Sequence, residues 1–330
     1  MGSTEVYHGG DLQEAEALFG RPEAGWLDLS TGINPEPYPN TNTRDTSWRH
    51  LPQTASMETL LHAARHYYRV PESAGIVAAA GSQAILQLLP ALLDGCAISI
   101  VGPTYAEHAK LWTEHGHQVT TVGTLSNAGA ADVLILVNPN NPDGRTIHPD
   151  ALYEFAETRL KKGGFVVVDE AFADLDPAVG ILPRLQNEPI LSIRSFGKFF
   201  GLPGLRLGFA AGAPNLISAI RQRLGPWAVS GPALEIGARA LADRAWIERA
   251  RERLEARADA LDSVLTGAGL TVIGGTALYR LIEHNDAAAF FDRLGRAGIF
   301  VRRFQERPER LRFGVPGSAR DLRRLKEILT

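Results

Sequence analysis

Short apolar runs alternate with segments of helical spacing between about residues 75 and 212 of this 330-residue chain. Runs with apolar residues on both faces are typical of a mostly parallel sheet that is covered by helices. The predicted strands are Ile98–Val101, Val133–Val137, Phe165–Asp169, Ile190–Arg194 and Leu207–Ala211. The predicted helices are Ala84–Leu93, Ala106–His115, Asp150–Lys162 and Asn215–Leu224. The pattern therefore predicts an α/β domain whose chemistry lies in loops at the carboxyl ends of strands.

The pattern changes after about Gly231, where a long helical stretch precedes a smaller set of strands and helices. This part predicts a small α/β domain, whereas the first 35 or so residues have too little pattern for a domain and predict an arm. We expect an arm at 1–35, a large domain at 36–230 and a small domain at 231–330. The predicted elements of the small domain are helix Ala233–Thr266, strands Leu270–Ile273 and Ala277–Ile282, helix Ala287–Ala297, strands Ile299–Phe304 and Arg310–Phe313, and helix Ala319–Leu329.

Composition narrows the class of partner. A hydrophobic content of 45% and a charged content of 22% are ordinary for a globular protein, and the net charge of −3 favours a small molecule over nucleic acid or membrane. Cys96 is the only cysteine, which excludes an intrachain disulfide and favours a reducing compartment. Met1–Gly20 lacks the apolar run of a signal peptide, so we expect a cytoplasmic protein. No metal site is predicted.

The segment from Ser195 to Gly208 places one lysine, Lys198, in an apolar and glycine-rich turn. A lysine near apolar surface is costly to keep charged, which makes a nucleophilic amine available to an aldehyde. A hydroxyl three residues earlier, on Ser195, and the guanidinium of Arg206 eight residues later suit an anion beside that aldehyde. The alternative is a solvated loop lysine, and further motifs argue against it.

Other candidate residues also follow predicted strands. Asp169 ends an apolar strand, where a carboxylate either meets a protonated ring nitrogen or caps the next turn. The turn Asn138–Gly144 aims the amide of Asn141 inward. Gly81-Ser82-Gln83 begins a predicted helix, so its backbone N–H groups suit a phosphate, with a simple capped helix as the alternative. Tyr105 is either a face for ring stacking or an ordinary core aromatic.

Together these residues fit one ligand that has an aldehyde, a ring nitrogen, a ring hydroxyl, a flat face and a phosphate. Pyridoxal 5′-phosphate has all five groups, and we predict it as the cofactor. The lysine would take the aldehyde, the aspartate the ring nitrogen and the asparagine the ring hydroxyl. The predicted cofactor-binding residues are Gly81, Ser82, Gln83, Tyr105, Asn141, Asp169, Ser195, Lys198 and Arg206.

Five motifs occur in the order typical of one enzyme family. They are Gly-Ser-Gln from 81, Asn-Pro-Asn-Asn-Pro-Asp-Gly from 138, Asp-Glu-Ala-Phe from 169, Ser-Phe-Gly-Lys from 195 and Gly-Leu-Arg-Leu-Gly from 204. On these motifs the chain resembles the aminotransferase-type (fold type I) pyridoxal-phosphate enzymes over nearly its whole length. The resemblance implies the α/β fold of PLP-dependent transferases, a mostly parallel sheet in the large domain and a homodimer.

Within that fold the chain resembles the histidinol-phosphate aminotransferase branch, and more closely the L-threonine-O-3-phosphate decarboxylases of cobalamin biosynthesis. The closer resemblance is carried by His8–Asp11, Leu29–Pro35, His50–Gln53, Lys198–Gly201, Pro226–Ser230, Val301–Arg303 and Leu311–Gly314.

This resemblance implies roles for particular residues. Lys198, Asp169 and Tyr105 would be catalytic. Arg312 would hold the substrate carboxylate and Arg302 its distal phosphate, although a polar strand edge is the alternative for Arg302 and its neighbour Arg303. The residues expected to close over the substrate are His8, Gly9 and Asn34.

Three departures from the aminotransferase pattern favour the decarboxylase. Phe172 stands where a tyrosine usually binds the ring hydroxyl, Gly197 where a hydroxyl residue often precedes the lysine, and Leu51 where a tyrosine often reaches the partner subunit's cofactor. The expected reaction is decarboxylation of L-threonine O-3-phosphate to (R)-1-amino-2-propanol O-2-phosphate. The alternatives are a histidinol-phosphate-type aminotransferase and a non-catalytic regulator that binds pyridoxal phosphate.

Overall fold

The computed structural model describes residues 8–40, 43–129, 131–158, 160–185 and 188–330. Contacts divide the chain into two compact units. The larger unit comprises Pro37–Asn141 and Arg145–Trp246, and the smaller comprises Met1–Glu36, Pro142–Gly144 and Ile247–Thr330. Compared with the expected boundaries, residues 231–246 group with the larger unit and the described residues of the expected arm with the smaller.

The elements are numbered along the chain. The strands are β1 (Leu27–Leu29), β2 (Gly75–Ala79), β3 (Ala97–Val101), β4 (Gln118–Val122), β5 (Ala131–Val137), β6 (Leu160–Asp169), β7 (Ile190–Ser195), β8 (Gly208–Gly212), β9 (Thr271–Thr276), β10 (Tyr279–Glu283), β11 (Ile299–Arg303) and β12 (Arg310–Gly314). The helices are α1 (Leu12–Phe19), α2 (Asp45–Arg49), α3 (Thr54–Tyr68), α4 (Ser82–Leu88), α5 (Glu107–Glu114), α6 (Pro149–Thr158), α7 (Phe196–Phe199), α8 (Pro214–Leu224), α9 (Gly231–Ala242), α10 (Arg244–Gly267), α11 (Ala287–Arg296) and α12 (Ala319–Leu329).

The larger unit is built on a seven-stranded sheet in the order β2-β8-β7-β6-β5-β3-β4. Only β8 runs against its neighbours, so the carboxyl ends of the other six strands lie at one edge, together with the start of β8. Apolar side chains from neighbouring strands, such as Ile100, Ile135 and Val167, pack against Ile85 of α4 and Trp112 of α5. The predicted α/β fold with a mostly parallel sheet is confirmed, and this edge carries the predicted motifs.

The five predicted strands are confirmed to within a few residues, but other features of this unit differ from the sequence prediction. Strand β4 was not predicted because it lies at the sheet edge and its polar residues are exposed, which hides the apolar pattern. The prediction of a helix to Lys162 was wrong at its end: α6 ends at Thr158 and β6 begins at Leu160. Gly163 and Gly164 follow, and glycine is a poor helix former.

The single helix predicted from Ala233 to Thr266 was also wrong, because the chain forms two helices that meet at Asp243. The Asp243 carboxylate oxygen Oδ1 accepts a hydrogen bond from the backbone N–H of Trp246 at 3.0 Å. Its second oxygen accepts one from the hydroxyl of Tyr38 at 3.3 Å. A side chain that accepts a hydrogen bond from the backbone N–H three residues later is an N-cap. Asp243 therefore caps the start of the second helix.

The smaller unit has a five-stranded sheet in the order β1-β11-β12-β10-β9. Strand β1 pairs in parallel with β11, and the remaining pairs are antiparallel. Part of the expected arm is thus a strand of this sheet, and its side chains join the unit's core: Phe19 contacts Phe291 and Trp26 contacts Phe300 edge to face. Strand β1 has three residues, too few to show a period in the sequence. Residues 1–7 of that arm lie outside the described residues.

No helix in the described part of the chain is both long and apolar enough to cross a membrane. Within the same residues, no group of three or more histidine, cysteine, aspartate or glutamate side chains is arranged to hold a metal ion.

Candidate active site

An anion cradle forms where the end of β2, the end of β7 and the start of β8 meet. Ser195 lies opposite Gly208 in the β7–β8 register, and the position of a Cβ on Gly208 is taken by the backbone N of Ser82. A Cβ on Gly81 would lie 2.6 Å from Nη2 of Arg206. Both glycines therefore permit a close approach that a side chain would block. The structure brings Ser82, Ser195 and Arg206 together here, and their binding of a phosphate stays a prediction.

The conformation of Arg206 also supports this cradle. Its backbone is left-handed, with φ of 52°, and its Nη1 donates a hydrogen bond to the carbonyl of Pro203 at 3.2 Å. The Ser195 hydroxyl makes no capping hydrogen bond to α7 among the described residues. Guanidinium and hydroxyl groups in this arrangement, beside the first backbone N–H groups of α4, suit phosphate oxygens.

Lys198 lies on the short helix α7, directly after β7, among aromatic side chains. Its Nζ is 5.8 Å from the ring centre of Phe172, which is buried and carries no hydroxyl. A Cβ on Gly197 would lie 2.8 Å from Cα of Pro203, so the glycine before the lysine is required by packing. The amine is thus held near apolar surface, in a turn where a side chain at position 197 would not fit.

Asp169 is buried at the end of β6 and is held by two hydrogen bonds. Its Oδ2 lies 3.1 Å from Nε2 of His108, and its Oδ1 accepts from the backbone N–H of Ala171 at 3.1 Å. His108 is itself only 2% exposed and lies on α5, next to the β3 loop. One carboxylate oxygen of Asp169 therefore caps the following turn, as the capping alternative proposed. The other oxygen is oriented by a buried histidine.

A buried ionic cluster lies immediately behind Asp169. The guanidinium of Arg194 is 3.1 Å from Oε2 of Glu170 and 3.6 Å from Oδ1 of Asp174. Glu170 also accepts hydrogen bonds from the Ser192 hydroxyl and from the backbone N–H of a later turn. Burial alone would lower the pKa of Arg194, but the two carboxylates raise it overall. The cluster connects the segment after β6 to strand β7 and so supports the strand ends that carry Asp169.

The asparagine turn after β5 is locked to the loop after β3. Asn140 is 1% exposed; its Nδ2 donates to the carbonyl of Pro103 at 3.0 Å, and its Oδ1 accepts from the hydroxyl of Thr104 at 2.7 Å. Arg145 donates to the carbonyl of Gly102 at 2.9 Å. These bonds fix the backbone on both sides of Asn141, the residue predicted to bind a ring hydroxyl, and the loop that leads to Tyr105.

The side chain of Gln83 does not lie with the anion cradle. It hydrogen-bonds the hydroxyl of Tyr105 and the carboxylate of Glu107. Of the groups of Gln83, only the backbone N–H is therefore positioned for the predicted contribution to phosphate binding. Tyr105 itself is partly buried against the core of the larger unit, with its ring edge against His108.

These features fit pyridoxal 5′-phosphate. The cradle that Gly81 and Gly208 keep open suits a phosphate, and a buried carboxylate whose hydrogen bonds fix its direction suits a protonated ring nitrogen. Lys198 lies on α7, directly after β7, the strand between β6 and β8.

The predicted substrate residues lie in the smaller unit, where Arg312 is buried on β12. Its Nη2 donates to the carbonyl of Ser30 at 3.1 Å, and its guanidinium lies 4.9 Å above the ring centre of Tyr279. Burial lowers the pKa of Arg312, and Tyr279 opposes that effect. The same burial raises the pKa of the Tyr279 hydroxyl.

The structure distinguishes Arg302 from Arg303. Arg302 lies directly opposite Arg312 in the β11–β12 register, so the two arginines project from the same face of the sheet. Arg303, on the opposite face, lies 3.9 Å from the carboxylate of Glu14 and 4.9 Å from the ring centre of Phe291. These contacts favour a structural role for Arg303, and the position of Arg302 fits the role in anion binding that stays a prediction.

Residues from the expected arm lie close to Arg312. Gly9 packs so tightly on the carbonyl of Ser30 that a Cβ would overlap it, and this carbonyl is the one that Arg312 contacts. His8 precedes Gly9 and is exposed. Asn34 is buried, and its Oδ1 accepts from the backbone N–H of Glu36 at 2.9 Å, so this oxygen stabilises a turn. Gly9 and Arg312 are thus brought together, while the substrate contacts of these residues remain predictions.

Comparison with known proteins agrees with this site. The sequence pattern of the family described as aminotransferase class I and II matches residues 39–329, and the chain belongs to that family. A threonine-phosphate decarboxylase of Pseudomonas aeruginosa is 39% identical over 325 residues, covering 98% of this chain and 96% of that protein. A threonine-phosphate decarboxylase of a Sinorhizobium species is 41% identical over 332 residues, covering 99% and 98%.

A solved structure shows the same fold. A histidinol-phosphate aminotransferase from Clostridium acetobutylicum superposes with a TM-score of 0.82 over 92% of this chain and 99% of that one, at 24% identity. The predicted fold type I architecture, a pyridoxal-phosphate enzyme of this family and the cofactor itself are confirmed.

Sequence reasoning missed the residues that hold the predicted ones in place, namely His108, Glu107, Asn140 and Arg194. One signal was present for His108: it lies three residues after Tyr105 and three before Leu111, on the apolar stripe of a predicted helix. A histidine on such a stripe needs a buried partner, and Asp169 is that partner.

Proposed function

We propose that the protein decarboxylates L-threonine O-3-phosphate to (R)-1-amino-2-propanol O-2-phosphate, a reaction of cobalamin biosynthesis. The observation that carries this proposal is the near full-length identity, about two residues in five, to two threonine-phosphate decarboxylases. The opposed pair Arg302 and Arg312 supports it, because phosphothreonine presents a carboxylate and a phosphate on one small molecule.

In this proposal the larger unit holds the cofactor. Lys198 would attach it, Asp169 would hold its ring nitrogen, and Asn141 and Tyr105 would bind its ring hydroxyl and ring face. The phosphate is bound by Arg206 and the two serines of the cradle. When bound, pyridoxal 5′-phosphate supplies an electron sink for the bond that breaks at Cα.

The chain's own residues decide which bond at Cα breaks. We assign the substrate carboxylate to Arg312 and the distal phosphate to Arg302, so that both anionic ends are fixed at once. His8, Gly9 and Asn34 close over the substrate and exclude water. Because Phe172 offers no hydroxyl, Asn141 is the main partner of the ring hydroxyl, which departs from the aminotransferase pattern.

The test uses the purified holoenzyme with one substrate alone and with one control pair of substrates. With L-threonine phosphate alone we expect CO₂ and an amino-alcohol phosphate, without any keto acid, since a decarboxylase regenerates its cofactor in each cycle. Histidinol phosphate with 2-oxoglutarate serves as the control pair. Product that forms only in the presence of a keto-acid acceptor, without CO₂, would identify an aminotransferase and overturn the proposal.

We further propose that the active form is a homodimer and cytoplasmic, as the resemblance and the single cysteine led us to expect. Three large apolar side chains are exposed to solvent in the single chain: Trp48 is 69% exposed, Leu51 61% and Trp227 59%. Their exposure supports the proposal that a second copy of the chain covers them. Leu51 and Glu235 are among the residues that line a groove of about 410 Å³. Sedimentation that finds an active monomer at assay concentration would contradict the dimer.

A further inference from the structure

Glu107 is a buried carboxylate for which the proposed chemistry has no use. It is 5% exposed at the start of α5, and its Oε2 accepts a hydrogen bond from Nε2 of Gln83 at 3.3 Å. Its Oε1 lies 3.8 Å from Nζ of Lys110, one helical turn further on. Glutamate is almost never buried without partners, and its partner here lies on the helix that follows the anion cradle.

The contact with Glu107 determines the orientation of the Gln83 amide. An amide has one donating and one accepting end, whereas an ionised carboxylate only accepts. The Nε2 of Gln83 therefore faces Glu107, and its Oε1 faces the hydroxyl of Tyr105 at 3.4 Å. Because Oε1 has no proton to give, the Tyr105 hydroxyl must donate.

The ring of Tyr105 is thereby held at two points. Its hydroxyl is directed to Gln83, and its edge lies against the ring of His108, with the ring centres 5.9 Å apart and the planes at 88°. His108 in turn holds Asp169. Two consecutive residues of α5, Glu107 and His108, thus reach two groups that the proposed function places on the cofactor ring: the stacking tyrosine and the aspartate.

We propose that Glu107 is a positioning residue, which fixes the amide of Gln83 and, through it, the hydroxyl and ring of Tyr105 against the cofactor. The inference rests on the proposed function, because it takes Tyr105 as the stacking residue. Glu107 touches neither cofactor nor substrate in this assignment, and its effect is transmitted by two hydrogen bonds.

The first test is Glu107→Gln in the holoenzyme. A glutamine both donates and accepts, so the Gln83 amide is free to turn over and the Tyr105 hydroxyl loses its obligatory acceptor. We expect kcat to fall about fivefold, the scale of one lost hydrogen bond, with a smaller change in KM. The visible circular dichroism of the bound cofactor should change as well, since it reports the environment of the ring. Glu114→Gln, an exposed position on the same helix, is the matched control and should alter neither quantity.

A double-mutant cycle separates positioning from a general effect on stability. If Glu107 acts through the Tyr105 hydroxyl, Glu107→Gln should have no further effect in a Tyr105→Phe background. Glu107→Asp, which keeps the charge, should restore part of the lost kcat. An undiminished effect in the Tyr105→Phe background, or unchanged kcat and dichroism in Glu107→Gln, would overturn the inference.

Gln83→Met provides an independent route if Glu107→Gln does not fold. It removes the amide between the two groups and leaves the backbone N–H in place, and it should reproduce the loss of kcat and the change in dichroism. Normal values in Gln83→Met would likewise overturn the inference. A wild-type protein that binds no pyridoxal phosphate or releases no CO₂ would instead refute the proposed function, so the two failures are distinguishable.

Discussion

The two units of the chain place their charged side chains differently. In the larger unit, the carboxylate of Asp169 is paired with His108 at 3.1 Å, and the neighbouring buried carboxylates also have partners within the chain. In the smaller unit, two like charges, those of Arg302 and Arg312, lie opposite each other on adjacent strands. Like charges in this position repel.

The difference agrees with the ligands we assign to each unit. A resident cofactor needs groups whose directions are fixed before it binds, and hydrogen-bonded pairs provide them. A transient substrate with two anionic groups is different, because it needs two cationic side chains that it can reach together. Two guanidinium groups on one face of the sheet therefore suit a molecule with two anionic groups.

The largest effect is expected from Lys198→Ala, because this change removes the group that attaches the cofactor. Turnover should fall by at least about 10³-fold, and the visible absorption of the bound cofactor should be lost. Lys326→Ala, an exposed lysine on α12, is the control and should behave as wild type. Full activity in Lys198→Ala would refute the assignment of the whole larger-unit site.

Asp169→Ala tests the fixed carboxylate of the larger unit. We expect weaker cofactor binding and a loss of rate of about 10²-fold or more, since an ion pair with the ring nitrogen is removed. His108→Gln should give a smaller loss, and none in the Asp169→Ala background, if the histidine acts by orienting the carboxylate. Titration of the apoprotein with cofactor measures the binding affinity, and steady-state kinetics measure the rate. Wild-type rates in Asp169→Ala would show that the carboxylate only caps the turn at Ala171.

The arginine pair allows the two anion assignments to be separated. Arg302→Leu should chiefly reduce discrimination between phosphothreonine and threonine, by roughly 10- to 150-fold, the equivalent of about 1.5–3 kcal/mol for a charged hydrogen bond. Arg312→Leu should instead lower turnover with every amino-acid substrate. Arg303→Leu is the control and should leave discrimination unchanged. Loss of discrimination in Arg303→Leu but not in Arg302→Leu would reverse our assignment.

Much of the larger unit was predictable because its signals are local. A buried parallel strand is a continuous apolar run, and its following turn carries the chemistry, so Asp169 and Lys198 were found from the residues around them. The partners were not found, because His108 lies 61 residues from Asp169 and only the pairing of β3, β5 and β6 brings them together.

The smaller unit was harder to predict for the same reason. Which of Arg302 and Arg303 projects beside Arg312 depends on the register between β11 and β12, and the alternation along one strand leaves that register open. Strand β1 was missed because three residues carry no period, and its pairing with β11 spans more than 270 positions of sequence.

The smallest effect concerns the stability of the ligand-free protein and tests the comparison most directly. Arg302→Leu removes one of two opposed like charges, so the free energy of unfolding should rise by a few tenths of a kcal/mol even as discrimination is lost. Arg303→Leu should lower it by about 0.5 kcal/mol, because the contacts with Glu14 and Phe291 disappear. Urea denaturation measures both changes, and added phosphothreonine should stabilise wild type more than Arg302→Leu. If the two variants lose stability equally without ligand, then Arg302 and Arg312 do not repel each other measurably. The contrast between paired charges in the larger unit and opposed like charges in the smaller unit then fails.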